Sequence, residues 1–163
     1  MKYNDNINNY YNNPQNIGSL DKNDPNVVRG KAGSAACGDL MTLDIKVDPV
    51  TRKILDAKVK TFGCMSAIAS STYLTTLIIG KTIEEARSIT NKDIYNDLGL
   101  PAVKFHCSVL AEEVISDALL QYSIRFENKD SNCLPNNGKE ESDSLLDEEN
   151  KNEHYSLDSS LSN

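Results

Sequence analysis

The sequence predicts an α+β fold: a small antiparallel sheet of about three strands packed against helices, with a long C-terminal helix and a disordered tail. Three observations lead there. Apolar and mostly polar side chains alternate strictly over residues 41–47, the period of a half-buried strand. After Gly63 the apolar pattern becomes helical, so strands come first and helices follow, the order expected when helices cover one face of a sheet. After Glu127 the text turns to Asn, Ser, Asp, Glu and Lys with scattered Leu, a composition too polar to offset the entropy of ordering. With 163 residues, 39% of them hydrophobic, the chain has enough apolar material for one core and hardly for two.

Residues 1–20 read as a polar, partly flexible segment; seven of the first sixteen residues are Asn, and such a stretch is expected to wrap or fray without burying a core. Residues 27–32 form a weakly patterned strand. In the next strand Met41, Leu43, Ile45 and Val47 share one face, Asp48, Pro49, Val50 and Thr51 make a turn, and Leu55, Ala57, Val59 and Thr61 face inward on the return strand. Asp56, Lys58 and Lys60 then face outward, completing an antiparallel hairpin. Residues 65–79, rich in Ala, Leu and Ile and almost uncharged, predict a buried helix stopped by Gly80. Thr82 and Glu85 match a capping box opening a short helix to about Ile89; residues 91–98 form another, closed by Gly99. The last helix runs from about Cys107 to Phe126 with Leu110, Val114, Leu119 and Tyr122 as its apolar stripe.

Charge narrows the function classes. The net charge is −7, but residues 128–163 hold nine acidic residues and three lysines, so −6 belongs to the tail and −1 to residues 1–127. A nearly neutral body offers no basic field for nucleic acid, and an acidic tail repels phosphates and anionic lipid. No apolar run is long enough to span a bilayer, and the first twenty residues carry neither an apolar block nor an Arg. Neither nucleic acid nor membrane is an expected partner. Four Cys without a secretory signal point to a reducing compartment, where thiols serve metals or chemistry more often than disulfides.

Three of those thiols fall at element junctions: Cys37 before the first hairpin strand, Cys64 between the second strand and the buried helix, and Cys107 at the start of the long helix. Cys64 and Cys107 lie near helix N-termini, where the helix dipole is expected to favour thiolate. Asp39 stands two residues beyond Cys37, and His106 directly precedes Cys107. Three soft thiolates, with an imidazole and a carboxylate competing for a fourth place, suit zinc or an iron–sulfur cluster and not calcium or magnesium. Because helical neighbours point about 100° apart, a static catalytic dyad of His106 and Cys107 is not expected. Cys133 and His154 sit in the polar tail without a partner motif and read as a spare thiol and a spare imidazole.

The words around these residues are more specific than their spacing. Ala36-Cys37-Gly38-Asp39, then Thr61-Phe62-Gly63-Cys64-Met65-Ser66-Ala67-Ile68-Ala69-Ser70-Ser71, then Leu100-Pro101-Ala102-Val103-Lys104-Phe105-His106-Cys107-Ser108 closely resemble the three signature segments of the IscU family, the iron–sulfur cluster assembly scaffolds related to the N-terminal part of NifU. The resemblance runs in order from about Tyr11 to Tyr122, so residues 21–127 read as the scaffold domain and 128–163 as the acidic disordered tail.

On matching positions the resemblance implies Cys37, Cys64 and Cys107 as cluster cysteines, Asp39 and His106 as alternating or assisting ligands, and Cys107 as acceptor of persulfide sulfur from a cysteine desulfurase. It implies that Leu100, Pro101, Ala102, Val103 and Lys104 form the loop grasped by a DnaK-type chaperone with its J-protein, and it brings frataxin, ferredoxin and recipient apo-proteins as partners. The expected cargo is a transient [2Fe-2S] cluster made from iron, with zinc as the possible resting metal; the protein is then a carrier and not an enzyme. Rival readings are a zinc-binding protein and a sulfurtransferase-type sulfur acceptor that regulates the desulfurase. The family-like text begins almost at Met1, which suits a bacterial cytoplasm, and a processed eukaryotic protein of the mitochondrial matrix would look the same. Three positions depart from the common pattern: Ala102 replaces a second proline, Met65 a Gly and Ala36 a Pro. The uninterrupted interval from Cys64 to Cys107 and the presence of His106 favour IscU over the related SufU branch.

Overall fold

A computed structural model describes residues 3–35 and 38–127. Three strands, β1 (Val27–Ser34), β2 (Asp39–Val47) and β3 (Ile54–Phe62), form an antiparallel sheet in the order β1-β2-β3. The alternation read from the sequence holds in β2, where Met41, Leu43, Ile45 and Val47 are all at most 2% exposed. In β3 it slips. Lys46 faces Asp56 and Val47 faces Ile54, so Leu55 is an extra residue; this bulge turns Ile54 into the core and leaves Leu55 exposed, the reverse of the inward position that strict alternation assigns to it.

The sheet presents its apolar face to α2 (Met65–Ile78) and α5 (Phe105–Tyr122), with α1 (Asp5–Asn12), α3 (Ile83–Arg87) and α4 (Asn91–Leu98) around them. As expected, α2 is largely buried, including Ser71, Thr72 and Thr75. Their hydroxyls donate within the helix, Ser71 and Thr72 to the Ile68 carbonyl and Thr75 to that of Thr72, so these polar groups enter the core satisfied. The three capping elements read from the sequence are present: Gly80, at φ 86°, follows the end of α2, Thr82 and Glu85 exchange side-chain-to-backbone bonds, and Gly99 closes α4 in the left-handed conformation, φ 61°, which a Cβ would strain. Thr90 and Asp93 form a second capping box, at the start of α4, beyond the one expected from the sequence.

The asparagine-rich N-terminus is more ordered in its packing than its composition implies. Its residues 5–12 fold as α1, and Ile7 is fully buried. Asn4 explains the start: its Oδ1 accepts from the Ile7 N–H while its Nδ2 donates to the Leu98 and Gly99 carbonyls, capping α1 and the end of α4 with one side chain. Helix α5 begins at Phe105, two residues earlier than predicted, behind a 3₁₀ turn at Ala102–Lys104, and passes into a π-type turn, Ser123–Glu127. Its stripe of Leu110, Val114, Leu119 and Tyr122 is buried as expected. Where α5 crosses β1 the backbones nearly touch: a Cβ on Gly30 would lie 2.5 Å from both the Ala118 nitrogen and the Val114 oxygen. Among the described residues no helix is long and apolar enough to cross a membrane. Cys37, Cys133, His154 and the whole segment read as a disordered tail lie outside the described residues.

Candidate metal centre

Antiparallel order places the β1–β2 turn and the exit of β3 at one end of the sheet, and α5 delivers its first turn to the same end. Asp39 is the first residue of β2, Cys64 the N-cap of α2 directly after β3, and His106 and Cys107 lie in the first turn of α5. These four, drawn from three separate stretches of sequence, converge. Cys64 Sγ lies 3.6 Å from Cys107 Sγ, Cys107 Sγ 3.5 Å from His106 Nε2, and His106 Nε2 3.7 Å from Asp39 Oδ2. All four donor atoms fall within 4.8 Å of one another. Metal bonds of about 2.0–2.3 Å in a tetrahedron put neighbouring donors roughly 3.3–3.8 Å apart, so these three separations match the edges of a single coordination sphere.

Two findings correct the sequence reading. His106 and Cys107, whose side chains were expected to point apart, approach each other, with Nε2 3.5 Å from the neighbouring sulfur. The Cys107 thiol is not held toward thiolate by the helix end. Burial pushes its pKa far upward, the nearby Cys64 and Asp39 charges add to the rise, and Lys104 only partly opposes them. A cation held by these donors would reverse that balance by adding positive charge beside the sulfur.

Asp39 is 4% exposed, and its Oδ2 has no hydrogen-bond partner among the described residues. A buried, unpartnered carboxylate oxygen is costly, and a metal ion is one group that satisfies it. Cys64 and His106 are half-buried and Cys107 is fully buried, so the cluster of donors is anchored on one side and open on the other. How Asp39 is seated has no counterpart in the sequence pattern. A Cβ on Gly63 would lie 2.6 Å from its Oδ1 and 2.8 Å from its Cγ, so the carboxylate rests where any other residue at 63 would carry a side chain.

In the segment preceding His106 and Cys107, Leu100 is buried in the core, Ala102 and Val103 are exposed, and Pro101 and Lys104 are half-buried. Ala102 opens the 3₁₀ turn that leads into α5, while Pro101 stays extended at φ −63°, ψ 148°. Residues 101–104 thus stand at the surface directly ahead of His106.

Comparison with known proteins gives a consistent result. The NifU-like N terminal domain family matches residues 2–129. The chain is 52% identical over 130 residues to the iron-sulfur cluster assembly enzyme IscU of Drosophila melanogaster, covering 80% of this chain and 84% of that protein. It is 48% identical over 129 residues to the iron-sulfur cluster assembly scaffold protein IscU of Escherichia coli (strain K12), covering 79% of this chain and all of that one. In fold it is similar to the crystal structure of a nitrogen-fixing NifU-like protein (N-terminal) from Brucella abortus, with a TM-score of 0.59 at 20% identity over 77% of this chain and 94% of that one.

Proposed function

This chain belongs to the NifU-like N-terminal domain family, and from that premise we propose that it is a scaffold on which a [2Fe-2S] cluster is assembled from iron and desulfurase-derived sulfur and then passed to apo-proteins. The observation that carries this reading is the convergence of Asp39, Cys64, His106 and Cys107, drawn from three separate junctions, into one set of metal donors. Cys37 adds a third thiolate from the same signature text. The protein acts as a carrier: it binds intermediates and turns over no substrate of its own.

The donor set explains why cargo is held and then released. Thiolates from Cys64 and Cys107 bind iron firmly, whereas the carboxylate of Asp39 and the imidazole of His106 form weaker bonds that a recipient's thiols displace. The open side at Cys64 and His106 is where those thiols enter. Cys107 accepts sulfur when its thiol gives up its proton to solvent and the resulting thiolate attacks the outer sulfur of a desulfurase persulfide. The donor's S–S bond breaks, a new S–S bond forms on Cys107, and the desulfurase cysteine leaves as thiolate. Two electrons delivered by a ferredoxin then reduce that outer sulfur to sulfide, the form the cluster takes up. A frataxin regulates the assembly, and residues 100–104 offer Ala102 and Val103 to a DnaK-type chaperone recruited by its J-protein, with Leu100 as the buried anchor of that loop. A reducing compartment, bacterial cytoplasm or mitochondrial matrix, keeps these thiols available.

The same donors can also hold zinc at rest, since two sulfurs, a nitrogen and an oxygen, three of whose separations match the edges of a tetrahedron, suit a zinc site as well. Anaerobic mixing of the purified chain with a cysteine desulfurase, cysteine, ferrous iron and reductant tests the proposal. The expected result is a [2Fe-2S] absorption spectrum that moves to an added apo-ferredoxin and is lost in Cys107→Ser. Tightly retained zinc with no transferable cluster overturns it in favour of a zinc protein.

A further inference from the structure

We infer that Gly63 is a positioning residue for Asp39: the missing side chain at 63 is the seat that lets the Asp39 carboxylate reach the metal donors. The inference rests on the reading of Asp39 as a ligand and adds to it the device that holds this ligand in place. The carboxylate is packed on both sides. Its Oδ1 and Cγ occupy the space that a Cβ on Gly63 would need, at 2.6 and 2.8 Å, while its Oδ2 lies 3.7 Å from His106 Nε2.

Ordinarily a clash with the far end of a side chain is relieved by swinging that side chain away. Here it is not cheap. Asp39 is short, 4% exposed and fixed at the start of β2, so the movement that clears an added methyl group takes the carboxylate out of its place among the donors. The same Cβ would also press on Ala67 Cβ at 3.2 Å, which closes the route along α2. Gly63 is not among the glycines with positive φ, so backbone freedom does not account for it; the close approach of Asp39 does.

A double-mutant cycle on the full chain, read with cobalt(II) as probe, separates this role from a general structural one. Gly63→Ala is expected to change the cobalt(II) absorption bands as Asp39→Ala does. Its cobalt(II) dissociation constant should lie within about twofold of that of Asp39→Ala, and the double variant should add no more than about twofold. Melting of the metal-free protein provides the second reading. Any loss of Tm in Gly63→Ala is expected to be recovered in the double variant, where no carboxylate contests the space. A Gly63→Ala protein with wild-type cobalt bands, or a double variant in which the two effects simply add, overturns the inference while leaving Asp39 as a ligand. Wild-type bands in Asp39→Ala overturn the ligand role itself, and the inference with it.

Discussion

A carboxylate oxygen is a harder donor than a thiolate sulfur, and in the proposed scaffold that difference sets Asp39 apart from two cysteines that would grip iron more firmly. Replacing it with a side chain that cannot coordinate leaves the cluster on the firmer donors. Asp39→Ala is therefore expected to lengthen the half-life of [2Fe-2S] transfer to an apo-ferredoxin by roughly tenfold, the change that about 1.4 kcal/mol of added barrier produces. Stopped-flow or circular dichroism traces of the transfer check this, and an unchanged or shorter half-life counts against it. The kinds of donor were legible in the sequence, because Cys, His and Asp announce their chemistry wherever they stand. Their separations were not: the 3.5 Å approach of His106 to Cys107 depends on a rotamer, and the upward shift of the Cys107 thiol depends on burial that no spacing reports.

The N-terminal helix shows what a single buried side chain contributes to an element. Ile7 is the one fully buried residue of α1, and Ile7→Ala is expected to cost about 2–5 kcal/mol of folding stability, measured by urea titration. Thr90→Ala removes the cap of α4 at an expected cost of about 1 kcal/mol in the same assay. The elements whose pattern is carried by their own residues, β2, α2, α4 and the stripe of α5, were legible within a few positions. Two features were hidden for a physical reason. Helix α1 depends on the Asn4 side chain bonding to the end of α4, a partner 94 residues away, and the bulge at Leu55 depends on the register of β3 against β2. Both are facts about pairing, which one strand of text does not contain.

For the whole molecule, acidity is the condition that tests its charged contacts together. Asp24 beside Lys46, Asp48 beside the Thr51 hydroxyl, Glu85 and Asp93 on the backbone N–H groups of Thr82 and Thr90, and Glu127 beside Ser123 and Arg87 all have pKa values held below their ordinary ones. A carboxylate with a lowered folded pKa stabilises the fold fully above its unfolded value and loses that contribution as pH falls through the folded one. With ordinary values of 3.8 for Asp and 4.5 for Glu, Tm is expected to hold steady down to about pH 5 and to decline below it, as thermal melts across that range will show. Substitutions far from the donors reach them by another route. Gly30 meets the middle of α5 backbone to backbone, and that same rod ends in His106 and Cys107. Even one methyl group at position 30 pries against the rod at its midpoint, so a substitution there is expected to disturb the spacing of donor atoms that it never touches.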